Sequence, residues 1–399
     1  VRLLSIATLY PAAPRPGFGR FVRAQLEALA ARDDWDVTVI NPIGVPPLLP
    51  LRRYAPLRAI PAVETGGTPD HPVTVHHPRF PLIPGLSGRF NPALIARAVL
   101  PLAQRLHAER PFDLVDAQFF YPDGPAAARI ARALGLPLAI KARGADIHYW
   151  GSRPASLAQI RVAARQAKVL LSVSSALAED MIALGLPASR IHVHYTGLDH
   201  ARFHPRPRAQ ARALLAERVP ALAFPAAVRI VACVGALIPR KGQAIAIEAL
   251  RDLDQDVVLV LVGAGPDEAA LRQLARKAGL EGRVVFAGAL GHDELPLLLN
   301  AAEAMVLPSA SEGLANAWVE ALACGTPIVI PDIGGARELL NRREAGRLAE
   351  RTPSAVAKGL SEVLAAQAPQ TAVAAAAARF SWEANAAALA EIYSAAASR

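Results

Sequence analysis

The sequence predicts an α/β protein made of two doubly wound, Rossmann-like parallel-sheet domains. Three observations carry that expectation. The chain has 399 residues, more than one small core organises and enough for two domains of ordinary size. Short apolar runs alternate with segments of helical period along nearly its whole length, the pattern of a parallel sheet covered on both faces. Several runs end in glycine-containing loops that lead into helices, with Gly17, Gly19, Gly242 and Gly263 among them. Open α/β sheets bind ligands at such strand ends.

Composition narrows the class. Apolar residues make up 53% of the chain and aromatics only 5%, as in a well-folded soluble protein. No run reaches the roughly 18 uncharged apolar residues that a membrane-spanning helix needs, and no signal-peptide pattern opens the chain. Cys233 and Cys324 fall in a predicted strand and at a helix end, so no disulfide framework is expected. The expected compartment is the cytoplasm. The formal charge is +9, and the whole excess falls on residues 1–198. Such a half suits nucleic acid, anionic lipid or an anionic substrate. No nucleic-acid-binding motif accompanies it, which leaves an anionic membrane surface or a lipid-diphosphate acceptor as the expected partner.

The first domain, residues 1–198, opens with a strand over Leu3–Thr8, a loop to Gly19 and a helix over Phe21–Ala31. Val22, Leu26, Leu29 and Ala30 share one face of that helix. Gly17 and Gly19 would let the loop backbone come close to a ligand. After a strand at Val37–Ile40, residues 41–84 form a proline-rich, irregular insert too long for a bare connector. It carries Arg52, Arg53 and Arg58 beside leucines with no evident partner, a combination that gains from an anionic interface. A helix over Ala93–Ala108 follows. Strands at Asp113–Ala117, Pro137–Lys141 and Val169–Val173 then alternate with helices at Gly124–Leu134 and Ser156–Ala167. Arg143 and Asp146 directly follow one of these strands, at the ligand-binding edge.

The second domain, 199–378, repeats the plan. Strands are expected at Arg229–Val234, Asp256–Val262, Ala304–Leu307 and Ile328–Ile330, with Arg240 and Lys241 in the loop after the first and Gly263 after the second. Glu268 stands where a dinucleotide fingerprint needs glycine, which disfavours a hydride-transfer cofactor. Asp252, Asp254 and Asp256 form a D-x-D pattern ahead of a strand, away from the carboxyl ends, and read as solvated acids. No His, Asp or Glu group has metal-ligand spacing.

The stretch from Ser309 to Val329 is the most informative. It reads as a loop, a helix over Leu314–Ala323, and a strand after Gly325 and Pro327. On a regular helix Glu320 lies about 12 Å beyond Glu312 and about 80° around from it, so the two acids can face one elongated ligand. The N–H groups of Gly313, Leu314 and Ala315 would point out of the helix start and favour an anion.

With Asn316, Ala321, Cys324 and Pro327, these residues resemble the donor-site signature E-G-x-x-N-x-x-x-E-A of retaining glycosyltransferases of family 4. The resemblance implies the GT-B architecture, two Rossmann-like domains facing across a cleft, with residues 379–399 folding back on the first. It implies that Glu320 holds the ribose hydroxyls, Glu312 lies by the sugar and diphosphate, and the backbone near Leu290 meets the base. Lys241 and Gly242 match the family step whose cations neutralise the donor diphosphate, Ala236 replacing its arginine and Arg240 offering a substitute. The Gly17–Gly19 loop belongs by the phosphates. Arg143 takes the place of the family's usual histidine, where it would steady phosphate or acceptor charge, and Asp146 matches the aspartate of that step.

The function implied is retaining transfer of a sugar from a nucleoside-diphosphate sugar to an acceptor hydroxyl, without cofactor or metal. The proline-rich insert looks like that of bacterial members that build surface polysaccharides. The expected acceptor is therefore a lipid-linked glycan at the inner membrane face, where the protein would bind peripherally. Two other readings share the fold: a sugar-nucleotide epimerase or phosphorylase, and a catalytically inactive sugar-nucleotide-binding assembly protein.

Overall fold

Strands buried on both faces read as near-continuous apolar runs, and the central strands here are of that kind. Every residue of β7 (Leu114–Ala117), β8 (Leu138–Ala142) and β9 (Val169–Ser172) is buried, as is every residue of β12 (Val257–Val262). The structure is a computed structural model that describes residues 1–47, 54–291 and 293–398. Arg52 and Arg53 lie outside the described residues. The chain divides into two compact units, residues 1–197 with the helix Trp382–Ala397, and Leu198–Ser381.

The first unit adds β1 (Arg2–Ile6), β2 (Asp36–Ile40), β4 (Val63–Gly67), β5 (Pro72–His76) and β10 (Ile191–Val193) to one sheet. Its order is β10-β9-β8-β7-β1-β2-β5-β4. All neighbours are parallel except β4 and β5. Winding runs outward in both directions from β1 and β7, so the switch point lies between them. The helix Arg20–Ala30 buries Val22, Leu26 and Leu29 against Leu3, Val37 and Val39. The closing helix Trp382–Ala397 completes the same cluster with Leu389, Ala390 and Tyr393.

The proline-rich insert is more ordered than its sequence suggests. β3 (Ile43–Val45) pairs with β6 (Arg79–Pro81), and a short helix covers Ala55–Arg58. Leu57 and Ile60 pack on Ile43, and Arg58 donates from Nη2 to the Pro46 oxygen at 3.0 Å. In that part of the insert Leu57 has an apolar partner, while Arg58 is exposed and hydrogen-bonded within its own domain.

The second unit holds β11 (Arg229–Val234), β12, β13 (Val284–Gly288), β14 (Ala304–Val306), β15 (Ile328–Ile330) and β16 (Gly346–Leu348). The order is β13-β12-β11-β14-β15-β16, every pair parallel. Here the winding reverses between β11 and β14, and the loops leaving those two strands flank the crevice where doubly wound sheets bind ligands.

Candidate active site

The two loops at that switch point are laced together. Lys241 ends a single tight turn, Pro239–Lys241. Gly242 follows at φ 74°, and a Cβ there would meet the Pro308 oxygen at 2.2 Å. Only glycine lets the β11 loop press so closely on the β14 loop. The Ala310 N–H then donates to the Arg240 oxygen at 2.7 Å, and Arg240 Nη1 to the Ser311 oxygen.

This lacing brings three charged side chains together. Lys241 Nζ lies 2.5 Å from Glu312 Oε1 and Arg240 Nη1 3.3 Å from the same atom. The Lys241 and Glu312 side chains are only 14% and 10% exposed, Arg240 39%. Adjacent residues seldom point alike, yet the tight turn makes Arg240 and Lys241 converge on one carboxylate. Two cations against one anion leave a positive surplus at the crevice, suited to a polyanionic ligand. Ala236, which stands in the arginine position, contributes only its main-chain oxygen, which accepts from Gln243 Nε2 at 2.9 Å.

The helix behind Glu312 starts later than its sequence suggests. It covers Asn316–Ala323, with Ala315 as an extended N-cap at φ −71°, ψ 124°. Glu312, Gly313 and Leu314 therefore lie in the loop, and the single-helix geometry expected between Glu312 and Glu320 does not hold. Alanine has no side chain to cap the helix, and Trp318 N donates to the Ala315 oxygen. The N–H groups at the helix start thus belong to Ala315, Asn316 and Ala317, with Gly313 and Leu314 in the loop before it. Glu320 sits half-buried on this helix. Gly263 follows β12 and donates to the Gly288 oxygen at 2.8 Å, while Leu290 lies in the turn just past β13. Asp254 and Asp256 sit at the opposite edge of the sheet, clamped by Arg229 at 2.7 Å each.

The first unit holds the remaining expected residues. Gly19 is the left-handed N-cap of its helix, and a Cβ there would meet the Leu9 oxygen at 2.5 Å. Gly17 has open space around it, so no close approach requires glycine there. Asp146 is buried, and its carboxylate accepts from the N–H groups of Phe120, Arg143 and Gly144 at 2.7–3.2 Å. That geometry makes it an anchor for the loop carrying Arg143. His148 pairs with Asp180 at 2.9 Å.

Behind Arg143 lies a buried polar chain that sequence reasoning missed. Gln118 Nε2 donates to Asp116 Oδ2, and Gln25 Nε2 to Gln118 Oε1 at 3.1 Å. Lys141 Nζ donates to Gln25 Oε1 at 2.7 Å and lies 2.6 Å from His194 Nδ1. His194 Nε2 meets the Asn385 oxygen at 2.9 Å, so Nε2 carries the proton and Nδ1 accepts from lysine. Burial, with the Arg143 charge adding, holds Lys141 well below the ordinary lysine range. Burial pushes Asp116 up to about 6, against hydrogen bonds from Tyr393 and Gln118. The only available signal was a lysine inside an apolar strand.

Comparison with known proteins gives this geometry a context. Residues 217–380 match the family described as glycosyl transferases group 1, and residues 17–197 the glycosyl transferase 4-like domain. A Bacillus subtilis protein, TuaC, named for teichuronic acid biosynthesis glycosyltransferase activity, is 28% identical over 366 residues, 90% of this chain and 88% of that one. A GDP-mannose-dependent α-(1-6)-phosphatidylinositol monomannoside mannosyltransferase of Mycobacterium tuberculosis is 30% identical over 230 residues, 54% of this chain and 57% of that one. Among solved structures, Anabaena HepE in complex with UDP and glucose aligns with a TM-score of 0.72 at 23% identity, covering 99% of both chains. Sucrose-phosphate synthase from Thermosynechococcus elongatus aligns at 0.79 and 22%, also over 99% of both.

Proposed function

Since the chain is a glycosyltransferase of the group 1 and 4-like type with the GT-B fold, we propose that it moves a sugar from a nucleoside diphosphate to an acceptor hydroxyl with retention. The observation that carries this reading is the convergence of Lys241, Arg240 and Glu312 at the switch point of the second unit. A leaving diphosphate develops negative charge as the sugar departs. Preorganised cations stabilise that charge more than they stabilise the bound ground state. Lys241, Arg240 and the first N–H groups of the Asn316–Ala323 helix fill this role, and no metal is needed. Arg240 supplies the second cation that Ala236 does not, which favours an active transferase over an inactive binding protein. Glu320 takes the ribose hydroxyls and Glu312 faces the sugar. In the retaining scheme the leaving phosphate oxygen accepts the acceptor's proton on the same face as the new bond. Asp146 holds the Arg143 loop and takes no proton.

The acceptor we propose is lipid-linked, in glycan or glycolipid synthesis. The names of the bacillary and mycobacterial relatives support such a product. Physical support comes from the first unit. Ile83, Leu86, Phe90 and Tyr149 are exposed, Leu86 at 75%. Gln159 Nε2 holds the Arg89 oxygen at 3.0 Å, and Tyr121 holds that of Gly88 at 2.8 Å. Arg89 and Arg153 lie over the Phe90 and Tyr149 rings at 4.5 and 3.5 Å. Apolar side chains flanked by arginines gain from an anionic bilayer surface. Among the described residues no helix is long and apolar enough to cross a membrane, so contact would be peripheral.

Calorimetry with UDP, GDP and ADP, followed by sedimentation with anionic vesicles at rising salt, tests both parts. One nucleotide should bind well above the others, and vesicle binding should fall with salt and with Leu86→Ser plus Arg89→Ser. Binding of no nucleotide would overturn the donor reading. Salt-independent partitioning, or none, would overturn the membrane one.

A further inference from the structure

In the second unit the loops that leave neighbouring strands touch main chain to main chain, in the order of the sheet. A Cβ at Gly263, after β12, would meet the oxygen of Gly235, after β11, at 2.1 Å. The contact of Gly242 with Pro308 joins the β11 loop to the β14 loop. A third contact joins the β14 loop to the β15 loop, and it ends on Glu312 itself. Gly334 stands at φ 48°, and a Cβ there would lie 2.3 Å from the Glu312 oxygen and 2.5 Å from the Gly313 oxygen. Beside it the Gly335 N–H donates to the Gly313 oxygen at 2.7 Å.

The β14 loop is therefore gripped from both sides, since β14 lies between β11 and β15. On the β11 side the grip is charge: Lys241 Nζ at 2.5 Å and Arg240 Nη1 at 3.3 Å from Glu312 Oε1. On the β15 side it is backbone alone. Gly334 and Gly335 carry no side chain that could meet a ligand, so what they do for the site passes through the residues they touch. A side chain at 334 would have to drive the Glu312 oxygen from 2.3 Å to beyond 3.0 Å, the lower limit of real Cβ contacts. Its left-handed φ also favours glycine.

We propose that Gly334 and Gly335 are positioning residues for the transfer site, fixing the main chain at Glu312 and Gly313 so that the carboxylate stays against Lys241 and Arg240. The consequence for catalysis rests on the reading of Glu312 as facing the sugar. The mechanical link between the β15 loop and the Lys241 pair does not.

Two cycles test the proposal on the full chain. The first reads melting temperature alone. Gly334→Ala and Lys241→Ala should each lower it, and together by less than the sum, because displacing Glu312 already costs the contact that Lys241→Ala removes. Gly279→Ala is the control: φ is 70° there with nothing within 4 Å, so its loss should add in full to that of Lys241→Ala. Gly335→Pro, at a φ of −76° that proline adopts, deletes the N–H without left-handed strain and should couple to Lys241→Ala as Gly334→Ala does.

The second cycle reads nucleoside diphosphate release from UDP-glucose, GDP-mannose and ADP-glucose, with octyl glucoside as acceptor. A misplacement of about 1 Å can cost about a hundredfold. Gly334→Ala should therefore lower kcat about ten- to a hundredfold, while affinity for the nucleoside diphosphate, read by calorimetry, holds or rises. In a Glu312→Gln background it should cost little more. Fully additive melting shifts, or an undiminished loss of kcat in the Glu312→Gln background, would overturn the proposal. A wild type that releases nucleoside diphosphate from none of the three donors would instead overturn the transferase reading, and the melting cycle would still decide this one.

Discussion

Lys241 Nζ and Glu312 Oε1 sit 2.5 Å apart at the ends of two neighbouring strands, 71 residues apart in the chain. The site therefore holds its own countercharge, and a diphosphate entering it competes with Glu312 for the same ammonium.

That competition sets the expected behaviour of Glu312→Gln. Neutralising the acid leaves Lys241 and Arg240 with undivided charge for phosphate. Affinity for the nucleoside diphosphate should hold or rise, by up to roughly tenfold. Turnover should fall about a hundredfold, because the sugar loses its charged neighbour only where the reaction occurs. Calorimetry and initial rates measure the two separately. A loss of affinity exceeding the loss of turnover would refute this assignment.

Lys241→Ala should act in the opposite sense. Affinity for the nucleoside diphosphate should drop about ten- to a hundredfold, the worth of one hydrogen bond to a charged group, with little change for the free nucleoside. Stranding a buried carboxylate typically costs about 3–5 kcal/mol, but Arg240 lies 3.3 Å from Glu312 and keeps it compensated. The variant should fold. Equal weakening for both ligands would make Lys241 structural.

Glu320→Gln probes the other end of the donor. A neutral amide holds two hydroxyls less well than a carboxylate, so nucleotide affinity should fall about tenfold. The 2′-deoxynucleotide should lose less. A loss of the same size for both would remove ribose from the contact.

Asp116 makes a prediction about pH. Its carboxyl is held near 6 in the folded protein, above the ordinary 3.8, so the folded state binds the proton more tightly than the unfolded one. Its contribution to stability is present below about pH 4 and is lost as pH rises toward 6, on the order of 2–3 kcal/mol. Lys141 and His194, both lowered by burial, act in the opposite direction. The difference isolates it: Asp116→Asn should gain stability relative to wild type between pH 4 and 6. Parallel melting curves across that range would show that Asp116 ionises without penalty.

The parts of the fold that sequence reading recovered share one cause. β11 and β15 occupy Arg229–Val234 and Ile328–Ile330 as expected, because strands covered on both faces are mostly apolar and end in loops. β3, β4 and β6 were missed. Val63–Gly67 alternates weakly and ends in two glycines, and Ile43–Val45 is three residues long. The later start of the Asn316 helix had no local sign, since Ala315 is as good a helix residue as any. Lys241 and Glu312 were legible from their wording, but their direct contact depends on the turn at Pro239–Lys241. Gln25 and Gln118, 93 residues apart, carry no signal until the sheet brings them together.

The closing helix has a consequence for how the chain is made. Residues 1–197 leave the ribosome long before Trp382–Ala397, which supplies Leu389, Ala390 and Tyr393 to their core. At ordinary synthesis rates of about 5–20 residues per second, that interval lasts roughly 10–40 s. Throughout it Leu3, Val22, Leu26 and Trp35 lack part of their cover, while the intervening unit has all of its own chain and can close first. A chain ended at Ser381 and released from the ribosome should therefore resist protease across residues 198–381 and be cut within the segment synthesised earlier.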